Sequence, residues 1–156
     1  MSKIGIIGIG NPLMTDDGIG LVLLEKLRNE KQNLKNVEYI DGGTGGLNLL
    51  HTISNFDTVI FIDAVHFDGK LGESRLLKLD EIKSKKNIKL NSTHSIDFLK
   101  AIDISKKLGQ KQKNIFIFAV QPKDISFGTK ISKELNQKIK TIFEDLVDNV
   151  NKICKE

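Results

Sequence analysis

Gly8-Ile9-Gly10-Asn11-Pro12-Leu13-Met14-Thr15-Asp16-Asp17-Gly18-Ile19-Gly20 takes over from the apolar run Lys3 to Ile9. It passes through a glycine turn and two adjacent carboxylates, and leads into Ile19, Val22, Leu23 and Leu27 at helical spacing. A buried strand, a tight turn and a helix in immediate succession are the opening of a βαβ unit. Two carboxylates in sequence at the mouth of a buried strand repel each other unless a helix N-terminus, a hydrogen-bond donor or a cation offsets the charge. Chemistry is therefore sought first at this step.

Working outward, two further continuous apolar runs, Thr58 to Val65 and Asn114 to Val120, are rich in Ile, Val and Phe and lack polar alternation. That is the pattern of strands buried on both faces of a parallel sheet. Asn36 to Ile40, closed by Asp41, reads as a fourth strand, and Glu73 to Leu79, with partial alternation, as an edge strand. Helical spacing separates them: Leu47 and Leu50 after the glycine cluster, Ile96, Leu99 and Ile102 after His94, and a broad stripe of Leu135, Ile139, Ile142, Phe143, Leu146, Val147 and Val150. Strands alternating with helices imply right-handed crossovers. The expected fold is α/β, a three-layer α/β/α sandwich around a twisted, mostly parallel sheet of about five strands. Sites in such folds form beyond the carboxyl ends of the strands.

With 156 residues, 39% of them hydrophobic, the chain buries roughly two-thirds of its unfolded surface as one unit, so a single domain over 1–156 is expected. No apolar run reaches the ~18 residues of a membrane span, and Met1-Ser2-Lys3-Ile4-Gly5 moves into a strand without a signal-peptide pattern. A soluble, cytoplasmic monomer with no membrane partner is the expectation. A net charge of +4 invites a nucleic-acid reading, but only Arg28 and Arg75 of the 24 basic residues are arginine, and lysine is a poor bidentate reader of bases. The clusters Lys83, Lys85, Lys86, Lys89 and Lys106, Lys107, Lys111, Lys113 lack interleaved aromatics. No nucleic-acid partner is expected. Cys154 is the sole cysteine, which excludes an internal disulfide and a cysteine zinc site; it reads as a partly buried apolar residue of the last helix.

Several familiar motifs are absent. Leu13 stands where the third glycine of a dinucleotide fingerprint belongs, and Pro12 interrupts the turn. There is no phosphate-binding Gly-x-x-x-x-Gly-Lys loop, no Gly-x-Ser-x-Gly elbow and no His-Glu-x-x-His pair. What remains is a set of polar residues at strand ends. Asp17 follows the first strand, Asp41 closes the second, Asp63 sits inside Val59-Ile60-Phe61-Ile62-Asp63-Ala64-Val65, and His94 opens a helix in Asn91-Ser92-Thr93-His94-Ser95. A carboxylate embedded in an apolar strand costs several kcal/mol unless it is paired, hydrogen-bonded or coordinating. Two carboxylates and an imidazole converging from three strand ends would form a three-ligand site with open positions. That donor set suits nickel, zinc, manganese or iron better than copper(I).

Plainer readings stand beside these. Asp16 or Thr15 is a helix N-cap, Asp17 a favourable charge in a first helical turn, Asp63 a strand-end residue holding a loop, His94 a first-turn residue capped by Ser92 or Thr93, and His51 a surface residue. His66, just past Asp63, competes with His94 as a ligand. Asp41-Gly42-Gly43-Thr44-Gly45-Gly46 is either a tight turn needing positive φ or flexible backbone suited to close approach by another chain.

Taken together, the Gly8–Gly20 stretch, Asp41 to Gly46, Phe61-Ile62-Asp63-Ala64-Val65 and Ser92-Thr93-His94 closely resemble the maturation endopeptidases of nickel-iron hydrogenases. The resemblance implies that Asp17, Asp63 and His94 are the catalytic, nickel-contacting positions, with Asp17 where the family accepts Glu or Asp. It implies a substrate, the precursor of a hydrogenase large subunit, cut near its C-terminus once nickel is inserted. Nickel, or another divalent metal in its place, would arrive with that substrate. Asp41, Gly42, Gly43 and Thr44 would give the substrate tail backbone room. The chain departs from relatives at Gln121-Pro122 with the short segment Lys123 to Phe127, and at His66. Two rivals are weighed. Gly8-Ile9-Gly10-Asn11-Pro12 also resembles the start of peptidyl-tRNA hydrolases, but Asp16-Asp17 replaces their Thr-Arg-His-Asn continuation and would repel phosphate. The other is a metal-responsive chaperone that holds the precursor without cutting it.

Overall fold

The computed structural model describes residues 2–30, 34–45, 48–84, 93–109 and 114–156, the side chains of 83, 84 and 93–98 excepted. In chain order the elements are β1 (Ile4–Gly8), α1 (Ile19–Glu30), β2 (Val37–Asp41), α2 (Leu49–Ile53), β3 (Thr58–Ala64), β4 (Ser74–Lys78), α3 (Leu79–Ser84), α4 (Thr93–Lys107), β5 (Asn114–Val120), α5 (Lys133–Asn136) and α6 (Ile139–Lys155). The sheet order is β2-β1-β3-β5-β4. The first four strands in that order are parallel and β4 pairs antiparallel to β5. The expected strands form, with the weakly alternating one at the edge, and the sheet is mostly parallel as expected.

β1 and β3 are buried at every position because both their faces are covered. Side chains alternate between two apolar clusters. Ile7, Val59 and Phe61 join Leu49 and Ile53 of α2 and Ile102 of α4 on one face. Ile4, Ile6, Ile60 and Ile62 meet Leu23 and Leu27 of α1 and Ile142 and Leu146 of α6 on the other. Each such side chain contributes about 1.5–3 kcal/mol by leaving water, which is why these strands read as unbroken apolar runs. The C-terminal stripe is one expectation that the structure divides. Leu135 lies on α5 and the rest on α6, with Lys138 at φ −102°, ψ −1° between them.

From β1 the chain moves to β2 on one side, while β3 lies on the other side of β1. The strand order therefore reverses between β1 and β3. A crevice opens at such a switch point, outside the carboxyl ends of the two strands.

Candidate active site

Asp17 and Asp63 flank this switch point. Asp63 is the penultimate residue of β3, is fully buried, and pairs in register with Ala119 of β5. By the alternation along β3 it belongs to the face of Phe61 and Val65, which α2 and α4 cover. Asp17 lies in a 3-10 turn, Thr15–Gly18, that leads into α1, and is 5% exposed. Its Oδ2 accepts a hydrogen bond from the main-chain N–H of Asn11 at 3.0 Å, across the glycine turn.

Glycine makes this approach possible. A Cβ at Gly20 would collide with the carbonyl oxygens of Ile9 and Ile62, and one at Gly10 with the carbonyl of Asp17. The start of α1 thus sits against the residue preceding Asp63, where Ile9 N–H also donates to Ile62 O at 2.9 Å. The Gly-Ile-Gly spacing read from sequence as a turn is a close-packing device at the site.

The Asp41 loop is stitched to the same turn. Gly42 N–H donates to Gly8 O and Gly10 N–H to Gly43 O, both at 2.8 Å. Asp41 is exposed, and its Oδ1 accepts from Gly43 N–H at 2.8 Å, forming an Asx turn. Gly43 has φ +55°, with nothing among the described residues within 4 Å of its Cβ position, and Gly45 has φ +81°. The positive φ values agree with the tight-turn reading. Gly46 lies outside the described residues.

His94 is the second residue of α4. The C-terminal half of this helix, with Ile102, Ser105 and Lys106, borders a cavity at the amino ends of the strands beside Asn114. Its first turn therefore lies toward the carboxyl ends, on the face to which Asp63 belongs. The side chain of His94, like Ser92, lies outside the described residues. Among the described residues, no three carboxylate, imidazole or thiol groups form a ready metal site. Two carboxylates and an imidazole remain a suitable donor set for a borderline divalent cation.

Asp16 corrects the sequence reading. It is not the cap of the turn, whose N-cap position is Met14. Fully buried, it accepts from Lys123 N–H (2.9 Å), Asp124 N–H (3.1 Å), Ser132 N–H (2.6 Å) and Ser132 Oγ (2.9 Å). Ser132 in turn caps α5 through Leu135 N–H. The segment 123–132 is thereby strapped across the turn. The strap continues as a parallel bridge between Met14 and Gly128 and a hydrogen bond from Thr15 Oγ1 to Ser126 O. Thr15 holds φ +51°, a left-handed conformation that costs a β-branched residue about 1–2 kcal/mol. On the strap surface, hydrogen bonding to Glu134 at 2.6 Å raises Lys123 above its ordinary value, and the same pairing lowers Glu134. Phe127 on this strap is 80% exposed and Leu13, whose carbonyl accepts from Gly128 N–H at 2.8 Å, is 49% exposed. The only sequence signal for the strap was its position after Gln121-Pro122.

Residues 21–149 match the HycI model, hydrogenase maturation protease. The chain belongs to the hydrogenase maturation protease family. The matched span contains Asp41, Asp63, His66, His94 and Gln121 of this maturation protease family member and begins after Asp17. Hydrogenase expression/formation protein HupD of Bradyrhizobium diazoefficiens is 31% identical over 80% of the chain and 65% of its own length. The chain spans 56% to 65% of the length of three HupD relatives. Among solved structures, hydrogenase maturating endopeptidase HybD of Escherichia coli superposes with a TM-score of 0.82 at 25% identity, over 96% of this chain and 93% of that one. The hydrogenase maturation protease HycI of Thermococcus kodakarensis superposes at 0.72 with 27% identity, over 99% and 94%. No helix among the described residues is long and apolar enough to cross a membrane.

Proposed function

We propose that this family member is an endopeptidase that removes a C-terminal peptide from the nickel-loaded precursor of a nickel-iron hydrogenase large subunit. The observation that carries the proposal is the pair of buried carboxylates, Asp17 and Asp63, at the β1/β3 switch point. Carboxylates at the carboxyl ends of a parallel sheet are hard oxygen donors suited to a divalent cation, and the substrate brings one.

In this reading Asp17 and Asp63 contact the substrate's nickel, and His94 completes the donor set. The open loop Asp41, Gly42, Gly43 and Thr44 receives the extended tail of the precursor beside them. Docked nickel supplies Lewis-acid polarisation of a carbonyl or a water for hydrolysis. The residues of the chain fix the position of the scissile peptide relative to that ion, and holding reactants in place accounts for a large part of hydrolytic rate enhancement. Family membership supports the hydrogenase precursor over peptidyl-tRNA, whose likeness is confined to Gly8–Pro12.

The test is mass spectrometry of a hydrogenase large-subunit precursor, with and without nickel, after incubation with the protein and with Asp63→Ala. Loss of a short C-terminal peptide only with nickel and only with the unmodified protein is the expected result. An intact nickel-loaded precursor would replace the endopeptidase with a non-cleaving chaperone, and equal cleavage without nickel would sink the metal-contact roles.

A further inference from the structure

The loop that follows Asp63 is built around one amide. Gln121, the residue after β5, is 8% exposed. Its Oε1 accepts from Phe67 N–H at 2.9 Å and Gly69 N–H at 3.2 Å. Its main chain is clamped as well, Gln121 N–H donating to Glu73 O and Gly72 N–H to Gln121 O, both at 2.9 Å. Main-chain N–H groups only donate, so the two bonds to Oε1 fix which end of the amide is oxygen. Nε2 then faces Nδ1 of His66 at 3.2 Å, with a longer 3.5 Å contact to Pro122 O.

An amide NH2 has no acceptor capacity. His66 Nδ1 must therefore accept, and the neutral ring carries its proton on Nε2. Both lone-pair positions that a cation needs are thus occupied, one by Gln121 and one by a proton. His66 is half-buried, and Gln121 covers its Nδ1 edge. The opposite edge of the ring carries an N–H. Asp17, Asp41 and Asp63 offer acceptors only, whereas an extended peptide at these strand ends also presents carbonyl oxygens that need donors.

We propose that His66 is a hydrogen-bond donor, through Nε2–H, for a main-chain carbonyl of the precursor's C-terminal segment, and is not a ligand to nickel. This rests on the endopeptidase reading above. Gln121 is the positioning residue that fixes the imidazole.

Two measurements test it. A long-range 1H–15N correlation of the imidazoles in the unmodified, 15N-labelled protein is expected to show His66 protonated at Nε2 and bare at Nδ1. The opposite tautomer overturns the inference. In cleavage of the nickel-loaded precursor, His66→Phe is expected to lower kcat/KM about tenfold, the loss of roughly one hydrogen bond. His66→Gln, whose Nε2 can donate from nearly the same place, is expected to recover most of it. Unchanged kcat/KM in His66→Phe, or equal losses in both variants, overturns the donor role while the endopeptidase reading stands. No cleavage by the unmodified protein removes that reading and the donor role with it.

Discussion

Asp16 faces the 123–132 strap and accepts four hydrogen bonds from it, whereas Asp17, its neighbour in the chain, turns to the glycine loop after β1 and accepts from Asn11. Both are buried. Burial alone therefore does not mark a functional carboxylate. The source of the partners separates the two: those of Asp16 lie more than a hundred residues away and close a loop, while the Asn11 partner of Asp17 lies within its own turn, at a crevice. One acid belongs to the architecture and the other to the open end of the sheet.

The sharpest way to break this contrast is to exchange the two losses. Asp17→Asn keeps an acceptor for Asn11 N–H, so it should unfold within about 1 kcal/mol of the unmodified protein while cleavage of the nickel-loaded precursor falls about 100-fold or more. Retained full activity would end the role assigned to Asp17. Asp16→Ala should do the reverse in kind. Four donors lose their buried anionic partner, and urea denaturation should report a loss of about 3–5 kcal/mol. An unchanged midpoint would show that the strap holds without Asp16.

A smaller effect is expected at Gly43, on the Asp17 side. Its φ of +55° means that Gly43→Ala and Gly43→Val both carry a left-handed backbone cost of about 1–2 kcal/mol, the β-branched valine the larger share. Only the valine should also impair cleavage, by bulk; equal activities of the two variants would remove the substrate-tail role from this loop. The smallest effect belongs to Cys154, remote in sequence from both acids. Burial pushes its thiol above the ordinary value, so the thiolate is suppressed in the folded state. Stability from the neutral thiol is complete below the unfolded pKa and fades as pH rises through the folded one. Alkylation at pH 8 should be slower in the native chain than in urea, and its rate should be the same in Asp16→Asn and Asp17→Asn.

Much of this was legible in sequence because the relevant physics is local. Thr58 to Val65 and Asn114 to Val120 read as central strands since both faces of β3 and β5 are covered, and the interrupted run at Glu73 to Leu79 read as the edge it is. Asp63 stood out because an acid in such a run is costly. The role of Asp16 was not legible, since its partners Lys123, Asp124 and Ser132 adjoin it only after the sheet has formed. Gln121 was noticed as a departure, but its hold on His66 needs the β3 and β5 ends side by side. The break at Lys138 was hidden because Leu135 continues the apolar period of α6 from a separate helix.

Three of the four bonds that tether the strap to Asp16 come from main-chain N–H groups, those of Lys123, Asp124 and Ser132. Every residue but proline carries that group. The anchor consequently places little demand on the side chains of Lys123 and Asp124 themselves, although Asp124 Oδ1 also holds Ser126 N–H and a Cβ at Gly128 would press on Thr15. A single acid underneath grips the loop by its backbone and leaves the outward side chain of Phe127 outside that grip.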